Sequence, residues 1–433
     1  MFDIFSKTIK EYTVKEENNQ KLGVADHELT AWPRIAAISA MISFSLPTFM
    51  TGLELQKGLT VQDAILALVI GSVLLVIVGG VMGSIGVKSR LSSYLLVKIA
   101  FGEKGASIVN LAFAISLLGW FGVNLDLFSD TVVQLLASFS LSTPPTWLIE
   151  VVAGMLMITT TLYGFKAINI LASVLIPIMV YVTFIMLFSA QEVMTFEHFL
   201  TLEKPAQLTL GQGVASVVGV IIIGAIILPD ITRFSKQASG GWHVAFWSYG
   251  VAQLFVLLVT IYAASTNNFN DTLELMLSLN LGIFSFILII AGCWVLNSLN
   301  LYSMSLSLEA TFPKVNPKLH IIVLGAIGII AAFLNILDNF LSFLSILSVV
   351  FIPVAGVIIV DFIFINRKKY HITGLKNAKS VSSAALIAWL IGASLSIFNE
   401  YIGGFSATGI PVIDAIFITA ISYIAINRLT QNK

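Results

Sequence analysis

Residues 36–52 read AAISAMISFSLPTFMTG, an apolar segment that is interrupted at its middle by hydroxyl side chains and a proline. The proline, Pro47, cannot donate a main-chain hydrogen bond and would leave a carbonyl one turn earlier unpaired. Ser43, Ser45 and Thr48 can bond such loosened backbone. The stretch therefore predicts a membrane-spanning helix that is broken near its middle.

A second interrupted segment, GVASVVGVIIIGAIILPD at residues 213–230, carries Gly219 and Gly224 near its middle. The two are the first and sixth apolar segments, so they cross the bilayer in opposite directions. Two broken helices in such positions indicate an inverted-repeat transporter, whose substrate and ion sites lie near the midplane. The alternative is a proline kink in one helix and glycine packing contacts in the other.

The composition is that of a membrane protein. Hydrophobic residues make up 57% of the 433 residues and charged residues only 11%, whereas a soluble domain has about 25% charged residues. This excludes a cytosolic enzyme, a nucleic-acid binder and a disordered scaffold. The single cysteine, Cys293, excludes a disulfide framework and a cysteine-based metal site. No cofactor and no metal are expected.

Twelve apolar stretches are long enough to span a bilayer, which takes about 20 residues per helix. No segment between them is long enough for a separate soluble domain, so residues 31–428 are predicted to form one all-α integral membrane domain. Residues 1–30 lack the apolar core of a signal peptide and are predicted to be a cytoplasmic tail. The predicted spans are 34–53, 64–87, 106–136, 146–163, 167–189, 209–228, 244–265, 282–306, 319–336, 340–364, 382–399 and 409–427.

The distribution of basic residues predicts the orientation, because cationic loops are retained in the cytoplasm. With the N-terminus inside, only Lys57 and Lys204 fall on the outer side. If one helix had been miscounted, basic residues would fall on both sides of the membrane. Their concentration on one side therefore supports twelve spans with both termini in the cytoplasm. The inner residues are Lys7, Lys10, Lys15, Lys21, Arg34, Lys88, Arg90, Lys98, Lys104, Lys166, Arg233, Lys236, Lys314, Lys318, Arg367, Lys368, Lys369, Lys376, Lys379, Arg428 and Lys433.

Polar side chains inside the spans are the first candidates for a site, because burying them in a bilayer is costly. In span three, Trp120 and Asn124 are four residues apart and share a helix face, where a ring and an amide fit a flat, hydrogen-bonding ligand. Asp126 points elsewhere and fits either helix packing or proton binding. In span eight, Asn297 and Ser298 lie near the middle, and Asn297 offers both a donor and an acceptor. Hydrogen bonds between packed helices are the alternative for each residue.

Four motifs resemble the nucleobase-cation symporter family of purine-cytosine permeases. They are LALVIGSVLL in span two, GWFGV at Gly119–Val123, PDITRF at Pro229–Phe234 and IPVAGVIIVDFIFINRKKY at Ile352–Tyr370. The last two are the more specific, because they recur in this family at these points of the topology. The resemblance runs from about residue 30 to about residue 430.

The resemblance implies a fold of twelve helices, of which the first ten form two inverted five-helix repeats as in the leucine-transporter architecture. Here the repeats would be residues 34–189 and 209–364, followed by helices eleven and twelve at 382–427. It also implies uptake of cytosine or a related nucleobase or heterocycle with a cation by alternating access. The expected partners are this small substrate, a proton or sodium ion and the lipid bilayer.

In such proteins the base lies between an aromatic residue of helix three and one of helix six, and amides of helices three and eight read its polar edge. By position, Trp120 matches the helix-three aromatic residue and Asn297 the helix-eight polar residue. Asn124 stands where some members have a glutamine. The further residues that the resemblance implies beside the site are Ser43, Phe44, Ser45, Gly219, Ile221 and Ser298.

The implied pocket departs from the pattern of cytosine transporters in the family. Ile221 takes the place of the helix-six aromatic residue, Val220 and Ile223 replace serines, and Leu117 replaces a glutamine. One lost buried hydrogen bond is worth about 1–3 kcal/mol. A more apolar pyrimidine, a purine or a hydantoin relative therefore becomes a plausible ligand.

The implied ion site differs even more from that of sodium-coupled members of the family. Sodium-coupled relatives use main-chain carbonyls of the broken first helix, here Met41 and Phe44, and a carbonyl of helix eight, here Gly292. Their two helix-eight hydroxyl positions are Val295 and Leu296, which supply no oxygen ligand. We therefore predict proton coupling rather than sodium coupling.

Two side chains are candidates for the proton-coupled mechanism. The first is the Asp126 carboxyl. The second is Lys166, whose ammonium would lie near the ion site, although the positive-inside bias also explains it.

Charged residues at the inner ends of spans six and ten are interpreted as structural. Asp230 and Arg233 are predicted to act as a structural or gating lock, paired with each other or with a neighbouring loop. Asp361 is similar, and the basic run Arg367–Lys369 beyond it fits an anchor at anionic head groups better than a substrate contact.

Other functions find less support in the sequence. An enzyme would need a catalytic group within the spans, yet all five histidines lie in predicted loops or tails. A channel would show a selectivity-filter repeat or charged rings. The prediction is a secondary active transporter of the cytoplasmic membrane. The alternatives are a permease for hydroxymethylpyrimidine or an allantoin- or hydantoin-like ligand, and a sensor that has lost transport.

Overall fold

A computed structural model of the chain describes residues 24, 26–163, 165–267, 269–311, 315–375, 378–399 and 406–431. These residues form helices and no strand, and one isolated bridge pairs Thr30 with Ser235. The predicted N-terminal tail lies almost entirely outside the described residues. The α-helices are α1 Trp32–Met41, α2 Leu46–Gly58, α3 Val61–Ser89, α4 Ser93–Phe101, α5 Glu103–Ser138, α6 Thr146–Tyr163, α7 Phe165–Val193, α8 Phe196–Leu200, α9 Leu210–Gly219, α10 Ile222–Ile226, α11 Pro229–Thr232, α12 Gly240–Ala245, α13 Leu254–Ala264, α14 Thr272–Leu277, α15 Ile283–Thr311, α16 Pro317–Ala332, α17 Phe340–Val360, α18 Ile372–Leu375, α19 Ser383–Phe398 and α20 Pro411–Gln431.

π-helical segments also occur among the residues that the structure describes. Phe246–Gln253 joins α12 to α13, and Asp361–Ile365 follows α17. A π-helix widens the helical turn by one residue and is frequent at functional sites.

Among the described residues, seven helical segments are long and apolar enough to cross a membrane, and two bent helix pairs raise this number to nine. The bent pairs are α1 with α2, and α9 with α10 and α11, each bent by 59°. Three shorter apolar helices, α6, α16 and α19, lie where the sequence predicts spans four, nine and eleven. The all-α membrane fold is thus confirmed, while the count of twelve spans stays a prediction.

The chain forms two compact units, which are described separately. Unit one contains Asn110–Val193 and Thr266–Phe343. Unit two contains the described part of Val14–Val109, together with Met194–Ser265 and Leu344–Lys433. Each unit combines distant parts of the chain, so neither follows one predicted repeat.

Within unit one, α15 packs against α6, α7 and α16, and α16 also packs against α6. The interior is apolar, with Phe121, Val123, Met157 and Leu301 fully buried. Because lipid tails are as apolar as these side chains, van der Waals packing between the helices, rather than removal from water, holds the unit together.

Within unit two, α3 packs against both α9 and α12, α2 packs against α13, and α19 packs against α20. The amphipathic pattern of a soluble helix is absent here, since outward-facing residues such as Val73 and Ile77 of α3 are exposed and apolar. A helix that is apolar on every face fits a lipid environment.

The first predicted interruption lies between α1 and α2. Three consecutive short-turn hydrogen bonds end α1: Ile42 to Ser39, Ser43 to Ala40 and Phe44 to Met41. Ser45 then takes an extended conformation at the N-cap of α2, with φ −136° and ψ 158°. Pro47 lies in the first turn of α2, where its missing N–H would have no helical partner anyway. The proline therefore starts a new helix rather than kinking a continuous one.

The second predicted interruption follows Gly219. The Ile221 amide bonds to the Val218 oxygen, only three residues earlier, so the carbonyl of Val217 loses the partner it would have in a continuous helix. Gln253 takes the place of that partner, donating from Nε2 to the Val217 oxygen at 3.0 Å. The break is thus stabilised by a side chain from the π-helix Phe246–Gln253.

Candidate functional site

Trp120 is held in unit one by two aromatic side chains. Phe340 and Phe343 contact its ring at steep angles, with centroid distances of 6.0 and 5.3 Å and interplanar angles of 73° and 78°. Trp120 itself is buried, with 7% of its surface exposed. Edge contacts of this kind orient an aromatic ring without stacking a second ring flat on it. Phe340 and Phe343 therefore fix the orientation of the Trp120 ring.

An amide pair lies one turn further along α5. Asn297 of α15 donates from Nδ2 to the main-chain oxygen of Phe121 at 3.0 Å, which fixes the orientation of its amide. Its Oδ1 accordingly accepts from Asn124 Nδ2 at 3.2 Å. The Asn124 Oδ1 then has no hydrogen-bond partner among the described residues, although Asn124 is only 1% exposed. Buried polar atoms are normally paired, so this oxygen is an exception within the unit.

This geometry divides the roles of the two asparagines. Sequence reasoning gave Asn297 the contact with the ligand edge. In the structure both ends of the Asn297 amide make hydrogen bonds within the protein, whereas the Asn124 Oδ1 makes none to a described residue. Ser298, next to Asn297, is fully buried, and its hydroxyl makes no hydrogen bond to a described residue.

Asp126 lies on another face of α5, as the sequence predicts. It is buried near Glu150 and Asp130 and faces the main chain of Leu337. Neither carboxylate oxygen makes a hydrogen bond of normal geometry to a described residue. Ser129 bridges the two helices here, because its hydroxyl bonds the Asp126 main-chain oxygen at 2.9 Å and contacts Glu150 Oε1 at 3.3 Å.

The serines of the first break have different partners within unit two. Ser43 is fully buried and donates from Oγ to the main-chain oxygen of Ser248 at 3.2 Å. Ser45 pairs with Thr48 at 3.3 Å. Phe44, between the two serines, is half-buried. Ser43 therefore connects the break to the π-helix, whereas Ser45 stays within its own helix start.

The predicted site residues of the second break are both apolar. A Cβ at Gly219 would lie 1.9 Å from the Leu344 main-chain oxygen, so only glycine permits this close approach. Ile221 is 8% exposed and lies at the start of α10. Gly219 thus has a packing role, as the alternative interpretation held.

Sequence reasoning missed the π-helix Phe246–Gln253. Ser248 and Gln253 are five residues apart, one turn of such a helix, and they contact the two breaks through Ser43 and Val217 respectively. A glutamine and a serine in an otherwise apolar span were the available signal. The sequence gave no signal that Phe340 and Phe343 contact Trp120, because they lie far from it along the chain.

The predicted ion ligands lie in both units. In unit two, the Met41 carbonyl accepts the short-turn bond from Phe44. In unit one, Gly292 and Val295 are buried in the continuous helix α15. The side chain of Lys166 lies outside the described part of the structure.

The Asp230 carboxylate bonds to the segment that follows α3, which is one of the two pairings that the sequence predicts. The Asp230 carboxylate accepts from the Ser93 amide at 2.6 Å and from the Ser93 hydroxyl at 3.0 Å. Arg233 donates from Nε to the main-chain oxygen of Asp230, at 3.1 Å. Asp230 thus caps the start of α4, while a gating function stays a prediction.

Comparison with known proteins identifies the family. Residues 32–422 match the family described as permease for cytosine/purines, uracil, thiamine, allantoin. The chain belongs to this permease family. Cytosine permease of Escherichia coli (strain K12) is 27% identical to this permease over 393 residues, 90% of each chain. Hydantoin permease of Microbacterium maritypicum is 24% identical over 377 residues, which cover 80% of this chain and 76% of that one.

Solved structures agree on the fold. An inward-facing structure of Mhp1 matches this permease with a TM-score of 0.75 at 20% identity, covering 92% of this chain and 90% of that one. A closed structure of Mhp1, a nucleobase-cation-symport-1 family transporter with bromovinylhydantoin bound, gives 0.72 at 19% identity and 95% of each chain. The predicted family resemblance is confirmed, and the permease is a multi-pass membrane protein.

Proposed function

We propose that this permease is a secondary active transporter that imports cytosine or a related planar heterocycle with a cation by alternating access. The observation that carries the proposal is the unpaired Oδ1 of Asn124, one helical turn from Trp120. The Trp120 ring can stack on a flat ligand ring, and the Asn124 oxygen on the same helix face can accept a hydrogen bond from an N–H group of that ligand.

The bonding of the amide pair narrows the class of substrate. Asn297 accepts one of the two N–H groups of Asn124 Nδ2 and so orients the Asn124 amide, whose Oδ1 has no partner among the described residues. The ligand must therefore donate a hydrogen bond at that edge, as nucleobases and hydantoins do. A pairing of this kind discriminates by about 1–3 kcal/mol against a ring that lacks the donor.

A second candidate substrate is a hydantoin-like ring. The residue at the second break, Ile221, carries no polar group, and a hydantoin permease is among the relatives. Both candidates share a planar ring with N–H donors and differ in the number of polar groups that need partners.

For the coupling ion we propose the proton. Val295 and Leu296 provide no oxygen to a hard cation. Asp126 provides two carboxylate oxygens without a normal hydrogen bond to a described residue, inside a membrane-spanning helix. Such a residue is a candidate proton carrier by default.

We also propose twelve spans, with the first ten as inverted repeats and both termini in the cytoplasm. The two broken helix pairs support the repeats, because both bend by 59° and they begin the two predicted repeats. The positions of α6, α16 and α19 support the count, and the basic residues support the orientation.

Ligand binding tests the proposed substrate class. The purified permease would be heated with cytosine, uracil, adenine, hydantoin and their N-methylated analogues, since a bound ligand raises the melting temperature. We expect one N–H heterocycle to stabilise the protein and its N-methylated analogue to have no effect. Stabilisation by methylated and unmethylated rings alike would contradict the proposal.

A further inference from the structure

A cavity of about 230 Å³ lies in unit two, between the last turns of α3, the start of α12 and the π-helix Asp361–Ile365. Its apolar wall consists of Val81, Trp242, Phe362 and Ile363. The volume is several times the share of one water molecule, about 30 Å³. The cavity can therefore hold a group larger than solvent.

Two cations flank this cavity. Lys88 lies one helical turn beyond Ser84 on α3, and Arg367 follows the π-helix, with its guanidinium 5.7 Å from the Phe362 ring centroid. Both side chains are exposed, and neither forms an ion pair with a described residue. The two charges therefore create a site for an anion.

The nearest acid along the chain does not neutralise Arg367. Asp361 is fully buried, and its carboxylate accepts hydrogen bonds from Tyr370 at 2.9 Å, Tyr423 at 2.7 Å and Asn366 at 2.8 Å. These three donors occupy most of the roughly four acceptor positions of a carboxylate.

A buried hydroxyl provides an independent indication of a ligand. Ser84 lines the same cavity, is 9% exposed, and its Oγ has no hydrogen-bond partner among the described residues. Buried polar groups are normally paired. A ligand that carries both negative charge and acceptor oxygens would satisfy Ser84 together with the two cations.

The apolar side chains of the cavity wall indicate that the part of the ligand beyond its anionic group is apolar. Trp242 packs on Gly80, where a Cβ would lie 2.2 Å from its ring, and 44% of Trp242 remains exposed. Phe246, four residues further along, is 50% exposed, and Ile363 is 47% exposed. Tryptophan beside lysine and arginine at a helix end is typical of the membrane interface. The anion site thus continues into an apolar surface that faces the membrane.

We propose that this cavity binds an anionic phospholipid, with its phosphate between Lys88 and Arg367 and an acyl chain along Trp242. Basic pockets between membrane-spanning helices bind such head groups. Arg367, interpreted from sequence as part of a general anchor, thereby becomes part of a specific site. The site lies outside the proposed substrate residues, so it does not depend on which heterocycle is transported.

The test is a titration of the detergent-purified permease with phosphatidylglycerol or phosphatidylcholine, with bound lipid counted by native mass spectrometry. It compares the wild type with the double variant Lys88→Gln/Arg367→Gln. The matched control is Lys368→Gln/Lys369→Gln, which removes two adjacent exposed charges that do not line the cavity. A third arm adds inorganic phosphate in place of lipid.

We expect the wild type to prefer phosphatidylglycerol, and the Lys88/Arg367 variant to bind it about thirtyfold more weakly, about fivefold for each cation. The control should retain at least most of the wild-type affinity. Equal losses in both variants, or equal binding of the two lipids, would overturn the proposal. Displacement of the lipid by millimolar inorganic phosphate would also overturn it, because the site would then take a soluble anion.

Discussion

Gln253 donates a hydrogen bond from Nε2 to the main-chain oxygen of Val217, 3.0 Å away, at the point where α9 loses its regular bonding. The other end of the same π-helix, at Ser248, accepts from Ser43 of the first break. One π-helical segment thus contacts both broken helices of unit two. If the breaks move during transport, this segment connects their movements.

Replacing Gln253 by leucine should destabilise the second break. The Val217 oxygen would be left buried without a donor, at a cost of about 1–3 kcal/mol, and we expect a lower melting temperature and slower uptake. Thr260→Val is the matched control, because Thr260 bonds a Val256 carbonyl of its own helix, and such back-bonding adds little stability. Equal effects of the two variants would show that the Gln253 bond has no special role.

Removing the Trp120 ring should weaken ligand binding by at least tenfold, since base–aromatic stacking is worth about 1–3 kcal/mol. Trp120→Ala should abolish uptake, and Trp120→Phe should restore part of it. The exposed Trp147 of α6 provides the control Trp147→Ala, which should leave binding unchanged. Ligand affinity is measured by equilibrium titration. A folded Trp120→Ala protein with wild-type affinity would contradict the placement of Trp120 in the site.

The two asparagines should differ in their effects on specificity. Asn124→Ala removes the free acceptor, so the preference for an N–H ring over its N-methylated analogue should vanish and the half-saturation for the N–H ring should rise about tenfold. Asn297→Ala should raise the half-saturation for every substrate, because Asn124 loses its orientation and the Phe121 oxygen its donor. Competition assays with the N–H ring and its N-methylated analogue distinguish the two variants. Unaltered discrimination in Asn124→Ala would contradict its role.

Neutralising Asp126 should uncouple substrate transport from the proton gradient. If Asp126 carries the proton, Asp126→Asn should lose accumulation against a gradient while it still exchanges substrate across the membrane. Asp130→Asn, one helical turn further along the same helix, is the control and should still accumulate substrate. Proton-driven accumulation by Asp126→Asn would assign the proton to another group.

The parts of the fold that depend on local chemistry could be predicted from the sequence. Serines around Pro47 and the glycines near residue 219 marked both breaks correctly, because each changes backbone bonding within a few residues. The prediction missed where Pro47 acts, since its position in the first turn of α2 depends on where the new helix begins.

The bonding within the candidate site could not be predicted from the sequence. Asn124 and Asn297 are 173 residues apart, and only their contact shows which amide oxygen stays free. The π-helix was also missed, because its largely apolar sequence does not distinguish a π-helix from an α-helix. Trp120 and Asn124 were selected correctly as neighbours because a four-residue spacing fixes them on one helix face.

Uptake of radiolabelled cytosine into proteoliposomes, under a proton gradient and separately under a sodium gradient, tests the transport proposal most directly. Unlabelled hydantoin, purines and pyrimidine derivatives serve as competitors, and liposomes without protein give the background. We expect accumulation of a planar N–H heterocycle that the proton gradient drives and the sodium gradient does not. Sodium-driven accumulation would contradict proton coupling, and no uptake or competition by any of these rings would contradict the proposed transporter.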